Sequence, residues 1–131
     1  MSGNQKTRRY ILSAGRTGTV FLTHFLNSIE GVTAAHEPAP SRWQMMLANA
    51  RNDIGVGDAI LRSWFQRTRR RIHDQHDTVF VELNPFLCAL SDLIPEDGVD
   101  TKIVHLVRHP AEWATSMSIF KASTRFRHVI D

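Results

Sequence analysis

The sequence predicts an α/β domain in which a mainly parallel sheet is flanked by helices. Short apolar segments alternate along the chain with longer segments whose apolar residues recur at helical spacing. Alternation of this kind is typical of parallel strands that are joined by crossover helices. The chain has 131 residues, of which 42% are hydrophobic and 22% are charged. These values fit a single folded domain over residues 1–131 better than a disordered chain.

Four short apolar segments are predicted to be strands, because turn-forming residues bound them. The first ends at Ala14-Gly15, and the second is cut off by His36-Glu37-Pro38. The third and the fourth are rich in β-branched residues, which have high strand propensity. The four segments are Arg9 to Ser13, Val32 to Ala35, Thr78 to Leu83 and Thr101 to Val107.

The remaining segments carry apolar stripes at helical spacing and are predicted to be helices. A break that contains two glycines, from Asn52 to Asp58, separates the second helix from the third. The last helix is expected to begin at Pro110, because proline is favoured in the first turn of a helix. The other four begin near Gly18, Ser41, Ile60 and Pro85.

The helices and the fourth strand also allow burial to be predicted. Trp43, Trp64 and Trp113 lie on apolar stripes, so we expect them in the core. The apolar stripe of the first helix, from Phe21 to Ile29, and the apolar fourth strand are also expected to be buried. The arginines at positions 67, 69, 70 and 71 are expected to form a solvated helix face.

Charge and cysteine content narrow the choice of partner and compartment. The formal net charge of +3 and the pI of about 9.6 fit an anionic ligand, but they do not by themselves indicate nucleic acid. The single cysteine, Cys88, excludes an intrachain disulfide and lies in an apolar stretch where a buried structural thiol is expected. No apolar run approaches the roughly 20 residues of a membrane span. A cytoplasmic protein without a membrane span is the expectation.

The turn after the first strand is predicted to bind a phosphate or sulfate group. A strand ends there and a helix begins, which places free backbone N–H groups and the positive end of the helix dipole at one point. Gly15 and Gly18 allow the backbone to approach an anion closely, and Arg16 supplies a cationic fork. The hydroxyl groups of Thr17 and Thr19 can donate hydrogen bonds. The turn is not a Walker A motif, because no lysine follows Gly18.

A second motif follows the fourth strand. Arg108 comes directly after Val107, and Ser116 lies eight residues further on, in the following helix. An arginine at this position lies at the carboxyl end of a parallel strand, where open α/β sheets bind their ligands. Its guanidinium group can bind a phosphate through two hydrogen bonds.

Together, the two motifs resemble those of sulfotransferases that use 3′-phosphoadenosine 5′-phosphosulfate as the sulfuryl donor. The resemblance implies a three-layer, P-loop-like fold. It also implies that the residues from Arg16 to Val20 bind the 5′-phosphosulfate and that Arg108 and Ser116 bind the 3′-phosphate. No metal is required by this resemblance. Val20 departs from the family pattern, in which many relatives have a threonine or a serine at this position.

The same resemblance nominates residues for the chemistry. Several carbohydrate, tyrosylprotein and bacterial sulfotransferases have an acidic general base near the end of the second strand, which implies this role for Glu37. Arg16 is expected to stabilise the charge that develops during transfer. His36 is an alternative base, because histidine changes its charge near neutral pH, and Glu82 is another. Cytosolic relatives keep a catalytic histidine near the third strand, where this chain has none.

The length of the chain departs from the family pattern. Sulfotransferase domains are usually considerably longer, and their C-terminal part carries a glycine-rich, basic segment that closes over the nucleotide. The chain stops at Asp131, so we expect a partial domain that is apparently truncated at its C-terminus. A kinase-like P-loop enzyme is an alternative, disfavoured because Arg108 stands where a Walker B acid is expected. The other alternative is a non-catalytic, nucleotide-binding remnant. The sequence does not indicate the acceptor or the oligomeric state.

Overall fold

The computed structural model of the protein describes residues 7–39, 41–54, 57–77, 79–94 and 100–127. Residues 55, 56 and 78, which belong to the predicted helix break and to the start of the third strand, lie outside these ranges. The described elements are β1 (Thr7–Ser13), α1 (Thr19–Asn27), β2 (Val32–His36), α2 (Ser41–Ile54), α3 (Asp58–Asp74), β3 (Val79–Leu83), a 3₁₀ segment (Pro85–Leu93), β4 (Asp100–Leu106) and α4 (Pro110–Arg127).

The four described strands form one parallel sheet in the order β2-β3-β1-β4. Helices stand between strands that are consecutive in the sequence, which is the connection that parallel pairing requires. Ser13 of β1 is in register with Leu106 of β4. His36 of β2 is in register with Leu83 of β3. The predicted α/β class and parallel sheet are therefore confirmed, and the carboxyl ends of the strands meet at one edge.

Helices cover both faces of the sheet. Leu22 and Leu26 of α1 pack on one face, against Val81 and Leu83 of β3. On the other face, the core contains Phe65 of α3 together with residues of β1, α2 and the 3₁₀ segment. A fully buried side chain such as Leu83 or Phe65 contributes about 1.5–3 kcal/mol to the free energy of unfolding. Hydrophobic burial on both faces therefore holds the strand ends in place.

The fourth strand is not buried as the sequence predicts. Ile103 and Val104 are 49% and 55% exposed. In the observed order, β4 pairs only with β1 among the described strands, so it lies at an edge of the sheet. The Arg9 guanidinium donates to the Asp100 carboxylate at 2.6 Å across this pair and holds the pKa of that carboxyl below its usual value.

The tryptophans also differ from the prediction. Trp43 is 60% exposed and Trp64 is 38% exposed, whereas Trp113 is half-buried. On α2 the buried position next to Trp43 is occupied by Gln44, and on α3 the buried position next to Trp64 is occupied by Phe65. The rotation of each helix about its axis therefore directs the neighbouring residue inward.

The apolar stripe of α1 is only half covered. Leu22 and Leu26 pack in the core, whereas Phe21 is 76% exposed.

One of the arginines predicted to be solvated is fully buried. Arg69 has 0% exposure, although the predicted exposure of the arginines at 67, 70 and 71 is confirmed. Arg69 follows Leu61 and Phe65 at intervals of four residues, and these two residues face the core. Residues four apart lie on the same side of a helix, so this spacing directs the Arg69 side chain towards the sheet.

Arg69 belongs to a buried polar network. Its Nη1 donates to Glu82 Oε1, and Asn84 Nδ2 donates to the same oxygen at 2.9 Å. His73 Nε2 lies 3.4 Å from Glu82 Oε2. The Gln44 side-chain amide contacts both Asn84 and Arg69. A buried carboxylate needs such partners, because transfer from water without them is costly.

No described helix combines the length and the apolar composition that crossing a bilayer requires.

Replacing Arg69 should reveal how strongly the fold depends on this network. In Arg69→Met, the Glu82 carboxylate stays buried without its cation, so the free energy of unfolding should fall by about 3–5 kcal/mol. Urea unfolding followed by circular dichroism measures this change. Arg67→Met, on the exposed side of the same helix, should change the free energy by less than about 0.5 kcal/mol. The double variant Arg69→Met/Glu82→Leu should recover much of the loss, and equal losses at positions 67 and 69 would contradict the analysis.

Candidate functional site

A cleft opens at the edge of the sheet where β1, β2 and β4 end. Its walls come from the turn between β1 and α1, from the start of the 3₁₀ segment and from α4. Its volume is about 740 Å³, which lies in the usual range of small-molecule sites. The lining includes the predicted residues Arg16, Gly18, Thr19, Val20, His36, Glu37, Arg108 and Ser116.

The turn between β1 and α1, residues 14–18, is called the phosphate turn after its predicted ligand. It presents a helix N-terminus to this cleft. Gly18 is the N-cap of α1, and no side chain within the described residues caps the helix. The Leu22 N–H donates to the Gly18 carbonyl at 3.0 Å, so the N–H groups of residues 19–21 precede the first hydrogen bond inside the helix. The first turn of α1 also has no acidic residue. The positive end of the helix dipole is therefore available to an anion.

Arg16 and Glu37 share an unusual backbone conformation. Their φ angles are +51° and +48°, and they are the non-glycine residues with positive φ within the described ranges. Such a conformation costs roughly 1–2 kcal/mol per residue, and it tends to occur at functional sites. Both residues line the cleft, which places backbone strain at two of the predicted positions.

The two sequence motifs are in direct contact. Arg108 Nη1 donates to the Arg16 carbonyl oxygen at 3.2 Å, although the residues are 92 positions apart. Arg108 Nε also donates to Glu112 Oε2 at 3.3 Å, one helical turn away. Ser116 lies on the side of α4 that faces the cleft. The structure thus brings the phosphate turn and the second motif together.

Two aromatic residues of α4 also contact the phosphate turn. Trp113 Nε1 donates to the Gly15 carbonyl at 3.1 Å. The Arg16 guanidinium carbon lies 4.9 Å from the centre of the Phe120 ring, a distance at which a cation and an aromatic face attract each other. Neither residue was predicted from the sequence to belong to the site. Their spacing of three and four residues from Ser116 places them near it on the same side of the helix, and this signal could have identified them.

Two of the three candidate bases lie in the cleft, and the third does not. Glu37 and His36 both line the cleft, with His36 Nε2 at 3.7 Å from Glu37 Oε1 and at 2.9 Å from Thr19 Oγ1. Glu82 does not line the cleft, because its side chain points into the core against Arg69. A carboxylate that is buried and ion-paired in this way cannot reach an acceptor in the cleft.

Of the residues predicted to bind the ligand, Thr17 is the one that does not line the cleft. Its side-chain oxygen is buried, and within the described part of the chain this oxygen has no hydrogen-bond partner. The neighbouring residues of the turn do line the cleft. The Thr17 side chain therefore lies outside the cleft, whereas Thr19 lines it with its hydroxyl in contact with His36 Nε2.

Cys88 lies at the wall of the cleft. Its side chain is half-buried, and its thiol donates to the Ser13 carbonyl at 3.0 Å. Burial raises the pKa of the Cys88 thiol. A protonated thiol is a poor nucleophile, so Cys88 has a structural role in its contact with β1, as predicted from its place in an apolar stretch.

No group of three potential metal ligands among histidine, cysteine, aspartate and glutamate occurs in the described ranges. His73, which with Asp74 could suggest a metal site from sequence, packs instead between the rings of Tyr10 and Phe80, with centroid distances of 4.6 and 4.8 Å. The side chains with a permanent charge that line the cleft are the cations Arg16 and Arg108 and the carboxylate of Glu37. This set suits an anionic ligand.

No protein-family model, curated protein or solved structure matches the chain.

A glycine substitution tests the geometry of the phosphate turn. Gly18→Ala forces an L-residue to a φ of +90°, and the strain should lower the free energy of unfolding by about 1–2 kcal/mol. Gly57→Ala is a matched control, because Gly57 is also a helix N-cap with open space around its Cα but has a φ of −51°. Urea unfolding of both variants measures the difference. Equal losses would contradict the left-handed conformation at Gly18.

Proposed function

We propose that the protein binds 3′-phosphoadenosine 5′-phosphosulfate in this cleft and transfers its sulfuryl group to a hydroxyl or amine acceptor. The observation that carries the proposal is the contact between the two motifs. The turn at Arg16 and the pair Arg108 and Ser116 line one cleft, and Arg108 donates to the Arg16 carbonyl. A nucleotide with anionic groups at both its 3′ and its 5′ position needs two cationic half-sites in one cleft, and Arg16 and Arg108 line the same cleft.

The residues of the cleft fit the anionic parts of this nucleotide. Arg16 and the first N–H groups of α1 would bind the 5′-phosphosulfate, because the helix dipole and the guanidinium both favour negative charge there. Arg108 and Ser116 would bind the 3′-phosphate. Arg108 donates from Nη1 to Arg16 and from Nε to Glu112. Its guanidinium group has further N–H groups that can donate to a phosphate oxygen.

The donor nucleotide, when bound, supplies an activated sulfuryl group. The acceptor oxygen or nitrogen forms a bond to sulfur while the bond from sulfur to the bridging oxygen of the 5′-phosphate breaks. Glu37 accepts the proton that the acceptor loses. Arg16 and the N-terminus of α1 stabilise the negative charge that accumulates on the departing phosphate oxygen. Glu37 is preferred to His36 in this role, because the His36 ring is already engaged with Thr19 Oγ1 at 2.9 Å.

The kinase-like alternative has less support. A P-loop kinase uses a lysine after the second glycine of its loop and an acidic residue that holds magnesium. Thr19 follows Gly18 in this chain, and Arg108 follows β4. A cationic side chain at that position would repel a magnesium ion. The non-catalytic alternative shares the binding site and differs only in turnover.

Calorimetric titration tests the donor site. Adenosine 3′,5′-bisphosphate should bind more tightly than adenosine 5′-phosphosulfate or ATP with magnesium, because only it presents both a 3′-phosphate and a 5′-phosphate. Arg108→Ala should weaken its affinity about ten- to hundredfold, since hydrogen bonds from a charged group are lost.

Arg67→Ala removes the same charge from the exposed side of α3, outside this cleft, and should leave the affinity unchanged. No binding by a folded chain would contradict the proposal. Preferential binding of ATP with magnesium would favour the kinase-like alternative.

Replacement of Glu37 tests the proton acceptor. Glu37→Gln keeps the size of the side chain but cannot take a proton, so kcat should fall by roughly 10²- to 10⁴-fold. The affinity for adenosine 3′,5′-bisphosphate should not change. Transfer of labelled sulfate to a panel of hydroxyl and amine acceptors provides the measurement.

His36→Gln is the comparison variant. A larger loss of kcat in His36→Gln than in Glu37→Gln would assign the base to His36. Bisphosphate binding by the wild type without any transfer would favour the non-catalytic alternative.

A further inference from the structure

The phosphate turn is held by side chains that come from another part of the chain. The Gly15 carbonyl accepts a hydrogen bond from Trp113 Nε1 at 3.1 Å. The next carbonyl, that of Arg16, accepts one from Arg108 at 3.2 Å. Both donors lie after β4, and Trp113 is in the first turn of α4. An indole N–H can only donate, so Trp113 fixes the direction of the carbonyl that it contacts.

The turn needs such external support, because Arg16, unlike the two glycines beside it, is strained by its positive φ. Gly15, Arg16 and Gly18 have φ angles of +73°, +51° and +90°. Within the turn itself, the described hydrogen bonds include only a long one, from the Gly15 N–H to Ser13 Oγ at 3.4 Å. The hydrogen bonds from Trp113 and Arg108 are shorter, and they are donated to the carbonyl groups of two consecutive residues.

Fixing these carbonyls also fixes two N–H groups. A trans peptide is planar, so the carbonyl of one residue and the N–H of the next point in opposite directions. Trp113 therefore sets the direction of the Arg16 N–H, and Arg108 sets that of the Thr17 N–H. Successive N–H groups in a turn with left-handed residues form the concave sites that bind anions.

We propose that Trp113 is a positioning residue of the phosphate turn, which makes the 5′ half-site depend on the helix that carries Ser116. The part of this inference that concerns the ligand rests on the proposed function. Trp113 itself need not touch the ligand, because it acts through the Gly15–Arg16 peptide. The consequence is that the 5′ half-site depends on α4, and loss of the indole N–H should weaken recognition of the 5′ group selectively.

The test compares two ligands that each fill one half-site. Adenosine 5′-phosphosulfate has no 3′-phosphate, and adenosine 3′-monophosphate has no 5′ group. Trp113→Phe keeps an aromatic ring but removes the N–H donor. It should weaken binding of the 5′-phosphosulfate about three- to tenfold, the effect of one hydrogen bond, and change binding of the 3′-monophosphate less than about twofold. Trp64→Phe, on α3 outside this cleft, should change neither affinity.

A purely structural role for Trp113 would weaken both ligands to the same degree or neither, and either result would overturn the inference. Hydrogen exchange of the ligand-free protein provides a measurement that needs no nucleotide. The amides of Arg16 and Thr17 should exchange faster in Trp113→Phe and at the wild-type rate in Trp64→Phe. If the wild type binds neither nucleotide, the proposed function fails, and this exchange result alone decides the inference: unchanged rates at both amides overturn it.

Discussion

The parallel pairing of β1 with both β3 and β4 is the constraint on which the cleft depends. Parallel strands end at the same edge of a sheet, and Ser13 is in register with Leu106. Arg16 and Arg108 follow these residues closely, so their contact at 3.2 Å is a consequence of the register. A shift of β4 by two residues would keep its faces but move Arg108 by about 6.6 Å, which would break the contact.

The buried ion pair between Arg69 and Glu82 lies on the face of β3 that packs against α3. It ties α3 to the middle of the sheet, since Glu82 is in register with Tyr10 of β1. Removal of one partner would leave a buried charge without a counter-ion, which is strongly destabilising. Because the Glu82 side chain is bound to Arg69 in the core, it does not line the cleft.

Local sequence signals predicted the fold class and most of the cleft. The turn at Gly15 to Gly18 and the arginine at 108 each follow a strand, and parallel topology is enough to bring such positions together. The edge position of β4 could not be predicted, because it depends on the order of the strands in the sheet. The exposure of Trp43 depends on the rotation of its helix. Burial of Arg69, by contrast, was available from its four-residue spacing after Leu61 and Phe65.

Arg16 and Glu37 follow two strands that β3 holds on either side of itself. Residue Arg16 follows β1, Glu37 follows β2, and β3 pairs with both of these strands. The end of β3 holds both neighbours, since the Glu37 N–H donates to the Leu83 carbonyl at 2.9 Å and the Asn84 N–H donates to Ile11 at 3.1 Å. One intervening strand separates β1 from β2 by about 9.5 Å. In the proposed reaction, the transferring group would lie between the cation that follows β1 and the proton acceptor that follows β2. Because folding fixes both positions, little reorganisation is needed when the proposed reaction occurs.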